Sequence, residues 1–172
     1  VDLASGDRAE LPASGTAIGI IRSLAYDVLL SRVVGIDSDD RVFAVNTSTG
    51  ERTGLSAPGS SMLPFSGQAR ILVDTLGARY VVSDFGESGT GTADSDQWLE
   101  IDGATGERTV AFANGTGAGL AVDGIAAIDI DTEGRRIAIA SELDRNVTIV
   151  DMSTRTGLVI SDDATGAGDP LN

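Results

Sequence analysis

The chain has 172 residues, 41% of them hydrophobic and only 4% aromatic, so it can bury roughly 70% of the surface its unfolded form exposes, around an aliphatic core. Its formal net charge of −14 and pI near 4.1 oppose binding to nucleic acid or to anionic lipid. Cys, His and Lys are all absent, which removes disulfides, thiolate nucleophiles, Ser-His-Asp triads, imidazole ligands, Schiff bases and the phosphate-loop lysine; the 12 cations are all Arg, and chemistry is left to carboxylates, hydroxyls, Tyr26, Tyr80 and Arg.

The chain opens on Val1-Asp2-Leu3-Ala4-Ser5-Gly6-Asp7-Arg8-Ala9, which reads as a strand end, a Ser-Gly turn and a return strand to Leu11. Pro12 to Thr16 is a connector. Ile18 to Tyr26 is an apolar strand, and Val28 to Ile36, rich in β-branched residues, is a second. Asp37-Ser38-Asp39-Asp40 is a turn, Arg41 to Val45 alternates as a third strand, and Glu51 to Ser56 returns as a fourth. Ser56 to Gly67 is a Gly/Ser/Pro connector. Gln68 to Val73 and Ala78 to Ser83 flank a Leu-Gly turn. Gly86 to Asp96 then interrupts the unit with Gly, Ser, Thr, Asp and little else, before strands Gln97 to Ile101 and Arg108 to Phe112. After a Gly-rich connector, Gly124 to Ile130, Arg135 to Ser141, Asn146 to Val150 and Gly157 to Ser161 form the third and cleanest unit.

One hairpin string recurs through these units. Val45 to Thr53, Ile101 to Thr109 and Val1 to Ala9 are close copies, and Val150 to Gly157 is a degenerate one. In each, Asp or Asn at the strand end can bond to the turn backbone, and Gly five positions into the string supplies a positive φ. The copies start at residues 1, 45, 101 and 150, at intervals of 44, 56 and 49, and the longest interval contains the Gly86 to Asp96 insertion. Four short strands every forty-odd residues is the period of a β-propeller blade. A β-sandwich is the alternative, but it has no reason to repeat one hairpin four times. No segment carries a capped 3.6-residue apolar pattern, so helix should be minimal, and no apolar run approaches the ~20 residues of a membrane helix. The expected fold is therefore all-β: a partial β-propeller of three to four four-stranded antiparallel blades. A leading half blade covers 1–12, and blades lie at about 17–56, 67–113 and 120–161. Three units do not close a ring, which leaves two expectations: a longer protein, or several copies assembling into a ring or filament.

The acidic turns are candidate calcium sites, since Ca²⁺ takes six to eight oxygen ligands. Asp37, Asp39 and Asp40 form one cluster, Asp94 and Asp96 a second, and Asp129, Asp131 and Glu133 a third; the competing reading of each is a solvated turn. The insertion offers a binding loop, with Asp94, Asp96 and the flanking Trp98 as contacts, set against core packing for a lone Trp. Asn46, Asn114 and Asn146 each begin a glycosylation triplet.

The hairpin strings, the Gly-rich connectors and the strand Gly124-Ile125-Ala126-Ala127-Ile128-Asp129 resemble the NHL/SMP-30-like group of six- to eight-bladed propellers. That resemblance implies either an interaction module whose partners are other proteins or further copies of the chain, or a metal-dependent lactonase or lyase. The expected setting of the module is an extracellular or periplasmic cell surface. The lactonase branch holds its metal with Glu, Asn and Asp at the channel, where Asp84, Glu142 and Asp129 lie in loosely similar positions.

Overall fold

The computed structural model describes residues 10, 12–56, 68–85, 97–113, 124–133 and 135–162. The expected first hairpin, the insertion 86–96 and the final connector lie outside these residues.

All described secondary structure is β. Three four-stranded antiparallel meanders follow one another: β2 (Ile21–Asp27), β3 (Arg32–Asp37), β4 (Val42–Asn46) and β5 (Glu51–Ser56); β6 (Gln68–Asp74), β7 (Arg79–Phe85), β8 (Gln97–Asp102) and β9 (Arg108–Ala113); β10 (Ile125–Asp131), β11 (Arg136–Ser141), β12 (Asn146–Asp151) and β13 (Gly157–Ser161). A two-residue strand β1 (Ser14–Gly15) adds in parallel outside β5. Each sheet is one propeller blade. All three carry a register shift at the same point between third and fourth strands, at Val42/Phe43, Trp98/Leu99 and Val147/Thr148. A bulge there sharpens the twist and turns the outermost strand away from the other three.

Blades stack face to face, and this explains why their strands are apolar on both sides. Residues alternate between faces along a strand. Tyr80, Val82, Leu99 and Ile101 of the second blade pack on Val34, Ile36, Val42 and Ala44 of the first. Val81 and Trp98, one step out of phase, pack on Ile137, Ile139, Val150 and Met152 of the third. The innermost strands β2, β6 and β10 line up along one side of the stack, β2 touching β6 and β6 touching β10.

The hairpin string folds as its residues require. Asn46 Oδ1 accepts the N–H groups of Ser48 and Thr49, Asp102 Oδ1 those of Ala104 and Thr105, and Asp151 Oδ1 those of Ser153 and Thr154, at 2.6–3.0 Å. Gly50 and Gly106 close the turns at φ 73° and 72°. The degenerate copy has Arg155 at that place, held at φ 57°.

One expected strand is corrected. Val28 to Leu30, read as the start of a strand, lie in the β2–β3 turn, exposed, because Asp27 Oδ1 accepts the Leu30 N–H at 3.1 Å and Ser31 takes φ 46°. The cap outweighs the β-branched composition.

Candidate functional site

Carboxylates are the only abundant reactive groups here, so the chemistry of the molecule depends on what they face. Each blade places an Asp at the last residue of its innermost strand and an Arg five residues later: Asp27 and Arg32, Asp74 and Arg79, Asp131 and Arg136. Asp74 Oδ1 accepts the Gly77 N–H at 2.9 Å, and Oδ2 accepts Arg79 Nε at 2.8 Å; Arg79 also reaches Glu100 at 2.5 Å. Asp27 repeats this with Leu30 and Arg32.

Each of these two carboxylates is then reached from the following blade. Arg135 of the third blade donates Nη1 to both Asp74 oxygens, at 3.1 and 2.8 Å. The Tyr80 hydroxyl of the second blade donates to Asp27 Oδ2 at 3.0 Å, while Arg32 donates to that hydroxyl and lies 5.6 Å from the ring centroid. Burial pushes the Asp74 carboxyl upward, but the bonds from Arg79 and Gly77 and the charge of Arg135 outweigh it, so its pKa lies below the ordinary value. Burial pushes Tyr80 up to about 12, against the pull of Arg32 and with help from Asp27. The phenol therefore stays protonated at neutral pH and acts as a donor, not as a base. Asp131, with no described blade beyond it, is exposed.

The expected metal ligands are each engaged separately. Asp37, 1% exposed at the end of β3, accepts N–H groups of Gly19 at 3.0 Å, Asp39 at 3.0 Å and Arg41 at 3.1 Å, and the Arg41 guanidinium at 2.8 Å. Burial pushes its pKa up, but these bonds, Gly19 foremost, hold it below the usual value. Asp39 pairs with Arg41 at 2.8 Å and Asp40 with Arg22 at 3.0 Å. Asp129 is exposed in β10 and accepts the Ile130 N–H at 2.8 Å. Among the described residues no three Asp or Glu side chains gather where they could hold a metal ion. Asp84 is fully buried at the end of β7, 3.4 Å from Gln97 Nε2, while Glu142 is exposed in the β11–β12 turn. Asp94 and Asp96 lie outside the described residues. Trp98, 1% exposed, stands in the core between the second and third blades, so the packing reading applies to it and the exposed-contact reading does not.

A pocket of about 170 Å³ opens beside the first blade, lined by Thr16, Ala17, Phe43 and Gly54 with the Asp37–Arg41 pair. Its charged groups neutralise each other. Sequence reasoning missed the Asp27 and Asp74 latches. The signal was available: Asp followed five residues later by Arg at the same place in all three units.

No protein-family profile matches the sequence, and no curated protein matches it. The fold does match solved structures. A crystal structure of a nidogen/laminin complex aligns at TM-score 0.59 with 18% identity, over 82% of this chain and 48% of that one. A structural-genomics protein of unknown function from Bacteroides thetaiotaomicron VPI-5482 aligns at 0.64 with 15% identity, over 84% of this chain and 36% of that one. An oligogalacturonate lyase in complex with manganese aligns at 0.55 with 12% identity, over 76% and 33%. The chain thus spans half or less of each of these proteins. Together with the three blades, the likeness defines a β-propeller. It does not single out the NHL/SMP-30-like group. Among the described residues no helix is long and apolar enough to cross a membrane.

Proposed function

We propose that this chain is a non-catalytic interaction module of an extracellular or periplasmic surface, binding through its blade faces and loops. The observation that carries this reading is the state of the carboxylates. Among the described residues, three of the four buried acids, Asp27, Asp37 and Asp74, are tied to Arg and backbone N–H donors, and the fourth, Asp84, lies beside Gln97. An acid held this way is a brace between strands and blades, with no lone pair directed at a substrate. The nidogen/laminin likeness supports a binding role at the level of fold.

A second reading, a metal-dependent lactonase or lyase, draws on the likeness to the manganese-bound oligogalacturonate lyase. Turnover separates the two. The protein is incubated with Mn²⁺ or Ca²⁺ and assayed on sugar lactones and on oligogalacturonates. The module reading expects no rate above the metal-only background. A rate that chelator abolishes, and that Asp84→Asn or Glu142→Gln abolishes in a folded protein, would establish the enzyme.

A further inference from the structure

Asn-X-Ser/Thr triplets begin at Asn46, Asn114 and Asn146, and the fold treats them differently. Asn114 lies outside the described residues. Asn146 opens β12 half-buried, and Thr148, two residues on, is fully buried between two strands, opposite Ile139 of β11 and Val159 of β13. The Thr148 hydroxyl is engaged with Asn146 Oδ1 at 3.3 Å. An enzyme that must reach both the amide and the hydroxyl finds this triplet closed in the folded chain.

Asn46, Thr47 and Ser48 are all exposed, at the end of β4 and in the turn that follows it. Asn46 stands where the other described copies of the hairpin string have Asp102 and Asp151, and it caps the turn as they do. The cap uses Oδ1 alone, which accepts the N–H groups of Ser48 at 2.8 Å and Thr49 at 3.0 Å. Aspartate supplies the same acceptor. What Asn adds is an amide NH₂, and among the described residues Asn46 Nδ2 donates to nothing. The turn hydroxyls differ in the same sense. Thr105 Oγ1 and Ser153 Oγ donate back to their own cap carboxylates at 2.9 and 2.5 Å, whereas Ser48 Oγ has no bond among the described residues. Thr47 then holds the triplet to the β2–β3 turn, its N–H and Oγ1 both donating to Ser31 O, at 3.2 and 2.7 Å. In that turn Val28, Leu29 and Leu30 are exposed.

We infer that Asn46 is an N-glycosylation acceptor, a position where the amide is exposed, the hydroxyl is free and the fold needs only the oxygen. In the transfer, Nδ2 attacks the anomeric carbon of an oligosaccharide carried on a lipid diphosphate. The new carbon–nitrogen bond replaces the carbon–oxygen bond to the diphosphate, which leaves with the electron pair, and one Nδ2 proton passes to a base of the transferase. The cap through Oδ1 survives the change. The sugar stands at the end of the first blade beside the Val28 to Leu30 turn and screens that aliphatic surface with a bulky, solubilising group. The inference rests on the extracellular-surface reading, because such transferases act on chains delivered across a membrane.

The test supplies that delivery itself. The 172-residue chain is secreted, behind a cleavable signal, from a eukaryotic cell that glycosylates. It is then cleaved at arginine and mapped by mass before and after peptide:N-glycosidase, which leaves Asp where a glycan stood. Arginines separate the triplets: segment 42–52 carries Asn46, 109–135 carries Asn114 and 146–155 carries Asn146. Segment 42–52 should be modified, and 146–155 to a lesser extent or not at all. Asn46→Asp keeps the cap and removes the amide nitrogen, and Ser48→Ala keeps Asn46 and removes the hydroxyl. Each should abolish modification of 42–52, and each should leave the circular dichroism and unfolding midpoint of the sugar-free chain unchanged. An unmodified 42–52 in the parent, equal modification of 146–155, or modification that persists in either variant overturns the proposal. A lower midpoint in Asn46→Asp would show the amide serving the fold and overturn it too. None of these outcomes touches the surface-module reading, since secretion is imposed here and the turnover assay decides that reading separately.

Discussion

Replacing Asp74 with Ala tests whether the carboxylate braces hold the blades together. The side chain is fully buried and accepts four hydrogen bonds, from Gly77 N–H, Arg79 Nε and, through both oxygens, Arg135 Nη1. Removing one partner from a buried pair costs about 3–5 kcal/mol when the other charge is left stranded. Here the stranding is partial, because Arg79 keeps Glu100 and Arg135 is 34% exposed and can rehydrate. The Arg135 share then falls to about 1 kcal/mol or less. The lost turn cap adds about 1 kcal/mol. The expected destabilisation is about 3 kcal/mol, or a fall in Tm of about 6–12 °C for a chain of this size. Urea titration and thermal melting followed by circular dichroism measure it, with Arg135→Ala as the mild comparison at about 1 kcal/mol or less. The pH dependence carries a sign of its own. The folded pKa of Asp74 lies below the ordinary 3.8, so its contribution is present above that pH and is lost as acid titrates the folded carboxylate. The variant should therefore lose less stability than the parent as pH falls below 3.8. A loss under 1 kcal/mol at neutral pH, or an unchanged acid profile, would refute the bracing role.

Gly106→Ala should destabilise by at least about 2 kcal/mol in the same melts, since a left-handed backbone disfavours Cβ and the new atom meets a carbonyl of the neighbouring blade; that carbonyl is Leu55 O, with Gly106 at φ 72°. Arg155→Gly should stabilise by about 0.5–1 kcal/mol, because it restores glycine where the hairpin needs a positive φ. Tyr80→Phe removes a buried donor to Asp27 and should cost about 1–2 kcal/mol, and in the parent an alkaline absorbance titration should find this phenol ionising only near pH 12 or on unfolding. Millimolar Ca²⁺ set against chelator should leave Tm unchanged, since Asp37, Asp39 and Asp40 are already held by arginines; a calcium-dependent rise that Asp39→Asn removes would place an ion there.

Much of the fold was legible because it is local. The hairpin string carries its own instructions, an acceptor at the strand end and a residue able to take positive φ four positions later, and the structure shows both in each described copy. The strands of the third blade stood out because Ile and Ala occupy both faces of β11, as stacking on both sides requires. Val28 to Leu30 went astray for the converse reason: three apolar residues outvoted a single Asp27, although that Asp fixes the turn geometry.

The site was less legible because its pairing is not local. Tyr80 meets Asp27 across 53 residues, and Arg135 meets Asp74 across 61. No spacing rule within one unit reveals which residue of the next blade will arrive. The Asp37–Asp40 turn offers oxygen donors for a cation, yet Arg22 and Arg41 use those oxygens. Asp37 makes this concrete. A carboxylate offers about four acceptor positions, and Asp37 receives three backbone N–H groups together with the Nε and Nη2 of Arg41. A calcium ion would have to displace donors that already hold the β3–β4 turn to the chain at Gly19, losing fold for every ligand gained. A run of acids with arginine beside it, as in Asp37-Ser38-Asp39-Asp40-Arg41, therefore reads better as a self-neutralised turn than as an open metal site.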